Sequence, residues 1–229
     1  MAVEMTWFGH ATWRIRSAGK TIVVDPFIAD NPACEATIAQ IGPADLILVT
    51  HGHADHCSDC APLAHQNQAA VAAVFEIATW LHAKHQVANA VGMNLGGQKD
   101  FGFCQIKMTV AHHSSELPDG TYGGNPAGFV VTIAGKKLYF AGDTALFSDM
   151  QLIGKMGIDA AVLPIGDLFT MGPADSVTAT QWIQPVWVLP SHYNTWPPIA
   201  QDPEAWANMI RRQTKAQPIV LKSGQSHSI

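Results

Sequence analysis

A short apolar run followed at once by four potential metal ligands is the feature that most restricts how this chain folds. Residues 44–50, Ala-Asp-Leu-Ile-Leu-Val-Thr, form a nearly continuous apolar run, which is typical of a strand buried on both faces. The next six residues contain His51, His53, Asp55 and His56. Imidazole and carboxylate groups are common ligands of zinc and related divalent ions. The pattern therefore predicts a metal-binding loop at the end of a buried strand.

Three further apolar runs also end in residues of the metal-ligand type. In each, the run closes with a small residue, and a histidine or an aspartate follows directly or after one more residue. These residues are His112 and His113, Asp143, and His192. Because ligands outside the carboxyl ends of strands converge on one crevice, we expect these groups to join the first motif and to supply enough ligands for two metal ions.

The arrangement of apolar runs predicts an α/β fold. Residues 6–27 are typical of a strand meander, and strands and helices then alternate through residues 44–84. Further strands are predicted at 104–111, 127–133, 137–141, 160–164 and 186–190, and helices at 146–155, 175–183 and 203–213. Two strand-rich halves that meet near 112–126 indicate two packed mixed sheets with helices outside, a four-layer α/β/β/α sandwich formed by one domain, 1–229.

The order of these motifs resembles the metallo-β-lactamase superfamily over residues 9–224. Finer features look like a branch of small metal-dependent hydrolases similar to L-ascorbate-6-phosphate lactonase; these include Gly9-His10, Asp25-Pro26-Phe27, Gly142-Asp143-Thr144 and His192-Tyr193-Asn194-Thr195. The resemblance implies the same four-layer sandwich. It also implies a hydrolase whose two divalent ions activate the attacking water.

The resemblance further implies a role for each candidate ligand. One ion is held by His51, His53 and His112, a second by Asp55, His56 and His192, and Asp143 bridges them. Asp55 is also the expected catalytic carboxylate, which orients the water or accepts its proton. Zinc is the first expectation for the metal, with manganese and iron as alternatives, because histidine and carboxylate ligands suit all three.

Several residues near this motif have two interpretations. His113 competes with His112 as the third ligand, and position favours His112, which leaves His113 to contact substrate or a ligand. Asp25 either accepts a hydrogen bond from a ligating imidazole or is an ordinary turn residue. His10, in its Gly-His turn, faces substrate or lies at the surface. Five residues near the predicted rim either shape a pocket or serve in packing; they are Tyr193, Asn194, Phe169, Met171 and Trp196.

Composition limits the class of partner. The net charge of −5 and the pI of about 6.1 argue against a broad nucleic-acid or anionic-membrane surface. We expect a small-molecule substrate and leave homo-oligomer formation open. The four cysteines are too few for a disulfide framework, and Cys57-Ser58-Asp59-Cys60 is interpreted as small residues at a helix start. With no basic and apolar signal segment at the N-terminus, the expected compartment is the cytoplasm.

The leading functional hypothesis is a metal-dependent hydrolase of a small-molecule ester, lactone or phosphoester. Two alternatives remain at this point. One is a phosphodiesterase acting on nucleic acid or lipid, and the other is a non-catalytic metal-binding module. Metal chemistry alone does not choose the bond that is cleaved, because one fold supports many reactions through its loops.

Overall fold

Two seven-stranded β-sheets form the framework of the protein in the computed structural model, which describes residues 2–229. The first sheet has the strand order β14-β1-β2-β3-β4-β5-β6. Its strands are β1 (Glu4–Trp7), β2 (Trp13–Ser17), β3 (Lys20–Val24), β4 (Leu46–Leu48), β5 (Ala70–Val74), β6 (Ala90–Met93) and β14 (Ser226–Ser228). The predicted meander corresponds to β1, β2 and β3, which pair antiparallel.

The second sheet has the strand order β13-β12-β11-β10-β9-β8-β7. Its strands are β7 (Gln98–Asp100), β8 (Cys104–Val110), β9 (Ala127–Ile133), β10 (Lys136–Phe140), β11 (Ala160–Pro164), β12 (Trp187–Ser191) and β13 (Gln217–Pro218). All residues of β11 are buried, as expected for a strand covered on both faces.

Seven α-helices connect the strands. They are α1 (Ile38–Ile41), α2 (Ala54–Cys57), α3 (Cys60–Asn67), α4 (Phe75–His85), α5 (Met150–Gly154), α6 (Pro173–Ile183) and α7 (Pro203–Gln213), with one 3₁₀ turn at Pro197–Ile199. Helices α3 and α4 pack against the first sheet, whereas α6 and α7 pack against the second. No helix within residues 2–229 is long and apolar enough to cross a membrane.

The core lies between the two sheets. Trp13 on β2 faces Phe140 on β10 with their ring centroids 6.5 Å apart, and its indole nitrogen donates to Ser191 Oγ on β12 at 3.3 Å. Helices therefore cover the outer faces of two sheets that pack against each other, and the predicted four-layer α/β/β/α sandwich is confirmed.

The predicted boundary between the two halves is wrong. The first sheet gives way to the second between Met93 and Gln98, and not at 112–126, which is a loop within the second sheet between β8 and β9. In addition, β14 returns from the end of the chain to pair with β1. The sequence did not reveal this boundary because β7, Gln-Lys-Asp, is wholly exposed at the edge of the second sheet and has no apolar run.

Parallel pairing places several strand ends at one edge of the molecule. Strands β3 to β6 are mutually parallel, as are β10 to β13. The carboxyl ends of β3, β4, β10 and β12 lead directly to Asp25, His51, Asp143 and His192. Loops from both sheets therefore meet at this edge, which is where a crevice for a ligand is expected.

Candidate metal centre

The first group of donors at this edge consists of His51, His53 and His113. Their ligand nitrogens all lie within 4.8 Å of one another. His51 Nε2 is 3.0 Å from His53 Nδ1, and the ring of His113 lies 5.0 Å and 5.1 Å from the rings of His51 and His53. Burial lowers the pKa of His51 well below its ordinary value, so this imidazole is neutral, the form that binds metals.

The structure corrects the expectation for His112. Its side chain is exposed and stacks on Phe147, with ring centroids 4.9 Å apart, and it belongs to no group of converging donors within residues 2–229. Its backbone N–H donates to Thr144 Oγ1 at 2.9 Å, which ties the loop to the segment after Asp143. His113 occupies the place expected of its neighbour. The chain leaves β8 at Val110, so the alternation of side chains along the strand does not extend to either histidine.

The second group of donors consists of His10, Asp55, His56 and His192, whose ligand atoms also lie within 4.8 Å of one another. Asp55 and His56 lie on α2, which begins directly after His53. His56 and His192 are nearly fully buried, whereas the Asp55 side chain is 27% exposed. This group therefore has three buried imidazoles and one carboxylate that solvent reaches.

Asp143 lies between the two groups. Its Oδ2 is 3.7 Å from His113 Nε2, 3.4 Å from His56 Nε2 and 2.9 Å from His192 Nε2. Asp143 is 3% exposed, and the charges of His192 and His56 hold the pKa of its carboxyl well below the ordinary value despite the opposing effect of burial. An ionised carboxylate therefore faces donors from both groups.

Asp25 orients one of the buried imidazoles. Its Oδ2 is 2.8 Å from His56 Nδ1 and accepts from Thr50 Oγ1 at 2.7 Å, while its Oδ1 accepts from the Thr50 backbone N–H at 2.8 Å. When His56 carries its proton on Nδ1 and donates that hydrogen bond to Asp25, its Nε2 is unprotonated. The lone pair of Nε2 then faces the cluster. Contacts of this kind fix the tautomer of metal-ligating histidines.

The donors fit a divalent cation. Two buried polar atoms of the cluster, His56 Nε2 and Asp143 Oδ1, have no hydrogen-bond partner within residues 2–229. Buried polar atoms normally have partners, so an unpartnered nitrogen that faces a carboxylate and other imidazoles points to a ligand. The carboxylates of Asp143 and Asp25 also raise the pKa of His56 well above its ordinary value although burial opposes this, which shows that the site attracts positive charge.

Comparisons with known proteins agree with this geometry. The model of the beta-lactamase superfamily domain matches residues 4–192. The chain belongs to this superfamily. It is 49% identical over 211 residues to a UPF0173 metal-dependent hydrolase of Thermus thermophilus, with 92% of each chain covered, and 46% identical over 213 residues to one of Geobacillus thermodenitrificans, with 91% of this chain and 93% of that one covered. The expected class, a metal-dependent hydrolase of this superfamily, is confirmed.

Solved structures share the fold. The metallo hydrolase Igni18 of the archaeon Ignicoccus hospitalis aligns with a TM-score of 0.91 at 32% identity, covering 100% of this chain and 99% of that one. An isothiocyanate hydrolase from Delia radicum gut bacteria aligns with a TM-score of 0.78 at 18% identity, covering 99% of each chain. The second similarity concerns the fold alone.

In this member of the superfamily, His10 is held rigidly beside Asp55. His10 Nδ1 is 2.8 Å from Thr195 Oγ1, and its Nε2 is 3.1 Å from Asp55 Oδ2. Its backbone carbonyl accepts from the Trp7 indole at 3.0 Å, from Ser191 Oγ at 2.9 Å and from the His192 backbone N–H at 3.0 Å. Burial lowers the pKa of His10 to about 4, so the ring is neutral. His10 is thus buried within the cluster and does not lie at the surface.

Sequence reasoning missed Thr195. Its hydroxyl fixes the His10 ring although 185 positions separate the two residues, and the residue type carries no metal-ligand signal. The signal that could have found it is its place three residues after His192, in the loop that follows β12.

Tyr193 and Asn194 do not join the cluster. The Tyr193 ring is 3% exposed and stacks on Trp7, with ring centroids 5.1 Å apart and an interplanar angle of 11°. Asn194 Oδ1 accepts from the Gln201 backbone N–H at 2.7 Å. Both side chains hold the loop after β12 in place, which favours packing, the second of their two interpretations.

The cysteine pair beside the motif is also used in packing. Cys57 and Cys60 are 3% and 0% exposed. Burial raises the pKa of the Cys57 thiol to about 12, so it is protonated at neutral pH and a poor nucleophile or metal ligand. The Cys57 thiol donates to the Gly52 carbonyl oxygen at 3.3 Å, and this contact supports the loop that contains His51 and His53.

Proposed function

We propose that this hydrolase binds two divalent ions and uses them to activate water for attack on a small-molecule ester, lactone or phosphoester. The observation that carries the proposal is the position of Asp143 Oδ2, within 3.7 Å of His113 on one side and of His56 and His192 on the other. One carboxylate between two sets of donors is the arrangement required to hold two ions close together.

The donors divide into two sets. His51, His53 and His113 would hold one ion, and Asp55, His56 and His192 the other, with Asp143 shared. Divalent ions at such a site lower the pKa of water toward about 7 and polarise a carbonyl or phosphoryl oxygen. Zinc is the first choice, and manganese or iron are alternatives with the same ligand types.

Asp55 is the carboxylate best placed to handle the proton of the attacking water. Its side chain is 27% exposed, whereas Asp25 and Asp143 are 1% and 3% exposed and are enclosed by donors. Burial alone would raise its pKa, but the hydrogen bond from His10 and the charge of His56 lower it, so Asp55 is ionised. An ionised, accessible carboxylate can orient water and accept its proton.

Metal stoichiometry is the test of this proposal. Untagged protein prepared without chelator is expected to contain close to two transition ions per chain by elemental analysis. The isosteric change Asp143→Asn removes a charge shared by both sets of donors and is expected to reduce the content to one ion or fewer, with the circular dichroism spectrum unchanged. Full content in Asp143→Asn, or no metal after incubation with zinc, manganese and iron, would overturn the two-ion site.

A panel of substrates separates the reaction from its alternatives. Carboxylic esters, lactones, phosphomonoesters and phosphodiesters are compared on metal-loaded protein. Hydrolysis that is lost in His53→Ala supports the proposed function, whereas turnover of phosphodiesters alone supports a phosphodiesterase. Two bound ions without turnover of any compound would support a binding module. A small molecule is the proposed partner because the net charge of −5 disfavours a nucleic acid.

A further inference from the structure

The loops that surround the metal centre contain no lysine and no arginine. This holds for every loop that carries a donor or Asp25 and for the loop after β11, whereas the loop 219–225 after β13 carries Lys222. The loops are 8–12, 25–37, 49–59, 111–126, 141–149, 165–172 and 192–202. The chain has 13 lysines and arginines, so their absence from these segments is a property of the site rather than a shortage of cations.

The cations lie on the strands, helices and tail, and three of those nearest to the loops illustrate partners outside the metal centre. Lys20 Nζ is 2.6 Å from Asp45 Oδ1, and Lys136 Nζ is 3.2 Å from Asp159 Oδ1. Arg14, which follows the loop 8–12, donates to the Ile41 carbonyl at 2.8 Å. These contacts direct the cationic groups to neighbours outside the metal centre.

The charges of the loops beyond the donors are acidic. Glu116 is exposed, and its backbone carbonyl packs against Gly52, the residue between His51 and His53. Asp167 adds a carboxylate in the loop 165–172. A phosphate group outside the metal ions would therefore meet carboxylates and find no cationic side chain to bind it, although phosphate recognition generally uses arginine or lysine.

One side of the mouth of the centre is instead aromatic. Trp196 is 37% exposed, and its ring lies 5.1 Å from the ring of His10 and 6.1 Å from that of Phe27. The Phe27 ring also contacts His10 edge-on, with ring centroids 5.8 Å apart. These aromatic rings form an apolar wall directly beside the second set of donors.

A loop with an unusual backbone presents two further apolar side chains. Asp167 and Leu168 have φ values of 60° and 41°, which place two consecutive non-glycine residues in the left-handed region, and a hydrogen bond from the Phe169 N–H to the Asp167 carbonyl closes the turn. Leu168 and Phe169 are 65% and 57% exposed. The turn keeps both side chains out of the core.

This loop is attached to the metal centre at both ends. At its start, Gly166 packs so closely against His192 that a side chain there would collide with the His192 carbonyl oxygen. At its end, the Met171 backbone N–H donates to the Thr144 carbonyl at 2.9 Å, beside Asp143. The loop therefore spans the interval between two donors, and its apolar tip belongs to the rim of the site.

We propose that the substrate is an uncharged ester or lactone with an apolar substituent, which Trp196, Leu168 and Phe169 bind, and not a phosphorylated molecule. This inference rests on the proposed hydrolysis and names its substrate class. Water adds its oxygen to the acyl carbon, the bond from that carbon to the ester oxygen breaks, and the products are a carboxylic acid and an alcohol. Contact with the apolar substituent explains why a strained loop keeps two apolar side chains exposed to solvent.

The first experiment compares substrates with one leaving group on metal-loaded protein. The 4-nitrophenyl esters of acetate, butyrate and hexanoate are compared with 4-nitrophenyl phosphate and bis(4-nitrophenyl) phosphate. We expect kcat/KM to rise about tenfold or more from acetate to hexanoate, because each methylene buried in an apolar pocket adds binding. Preference for either phosphate ester, or no dependence on chain length, would overturn the proposal.

The second experiment uses matched variants of exposed leucines. Leu168→Ser is expected to reduce the ratio of kcat/KM for the hexanoate to that for the acetate about fivefold or more, with the metal content unchanged. Leu152→Ser removes a leucine that is 53% exposed on α5 and is expected to change neither substrate. Phe169→Lys supplies the missing cation and should raise the rate with 4-nitrophenyl phosphate about fivefold, the effect of one exposed ion pair. Equal behaviour of the two leucine variants would contradict the proposal.

Two further measurements separate other outcomes. If no compound is hydrolysed although two ions are bound, the proposed function fails, and saturation-transfer NMR then tests the substrate class alone. Hexanamide should give a signal that Trp196→Ala reduces by at least half, whereas a stronger signal from glucose 6-phosphate would overturn the class. Light scattering shows whether the apolar tip binds a second copy of the protein. If Leu168→Ser changes the molecular mass but does not change the preference for longer acyl groups, the proposed role of the tip in substrate binding is overturned.

Discussion

At the scale of single residues, two adjacent histidines have opposite environments. The His113 side chain is 13% exposed and lies 3.7 Å from Asp143, whereas His112 is exposed and stacks on Phe147. His113→Ala is therefore expected to lose one of two metal ions by elemental analysis, with its hydrolytic activity falling by a factor of about 100 or more. His112→Ala differs by one position and removes the same group, and it should retain both ions.

The variants His112→Ala and His113→Ala show which of the two histidines is the metal ligand. If His112→Ala loses metal and His113→Ala keeps it, the sequence-based choice of His112 holds and the donor set derived from the geometry is wrong. Thermal unfolding of both variants should be measured beside the metal content, because a loss of metal through general unfolding would affect the two variants alike.

A second prediction at this scale concerns Thr195, which is not among the ligands proposed for the two ions. Its hydroxyl fixes His10, and His10 in turn engages Asp55. Thr195→Val keeps the shape and removes the hydrogen bond, so we expect the affinity for one of the two ions to fall by about 10- to 100-fold in chelator competition, the usual cost of disturbing a residue that orients a ligand. Thr195→Ser restores the hydroxyl and should restore the affinity. An unchanged affinity in Thr195→Val would show that His10 does not position Asp55.

At the scale of elements, sequence predicts best where local pattern and tertiary packing agree. Strands β9 and β11 lie at their predicted bounds, because both are apolar runs covered on both faces. Helix α7 begins after Asp202, whose side chain accepts from two backbone N–H groups, and has proline in its first turn. Strands β6, β7, β13 and β14 were not predicted, since short or polar edge strands depend on a partner that local sequence does not reveal.

The same distinction applies to the candidate site. The positions of ligand types after strand ends could be predicted, because the carboxyl ends of parallel strands share an edge. The choice between His112 and His113 could not, since it depends on how the chain turns after β8. The contact between His10 and Thr195 joins the first and last thirds of the chain, and nothing in local sequence encodes it.

The turn between β1 and β2 provides a stability test at this scale. Gly9 has a φ of 93°, and a Cβ there would lie 2.6 Å from the Ala33 carbonyl oxygen, whereas Gly19 has a φ of 75° with no atom within 4 Å. Gly19→Ala carries only the cost of the left-handed backbone, about 1 kcal/mol. Gly9→Ala adds a backbone collision and should lower the free energy of unfolding in urea by about 1–3 kcal/mol more. Equal losses would show that the turn shifts freely and does not fix His10.

At the scale of the whole molecule, the metal centre joins the two sheets. His51, His53, Asp55 and His56 come from loops of the first sheet, whereas His113, Asp143 and His192 come from loops of the second. Metal that binds only the folded protein stabilises it by about 2.7 kcal/mol when its free concentration is 100 times the dissociation constant. For a chain of this length, two such ions correspond to about 10–20 °C in Tm. Chelation followed by desalting should therefore lower the Tm by this amount in calorimetry, and returning the metal should restore it.

The difference in Tm between metal-loaded and chelated protein, measured in variants, shows whether the metal stabilises the protein by linking the two sheets. His113→Ala removes a donor of the second sheet and should reduce the difference in Tm between loaded and chelated protein by about half, because one ion remains. His112→Ala should show the full difference. If chelation leaves the Tm of the unaltered protein unchanged while elemental analysis confirms that the metal has gone, the sheets hold together without it. The donors would then serve chemistry alone, and the close packing of Trp13 against Phe140 and Ser191 would suffice to join the sheets.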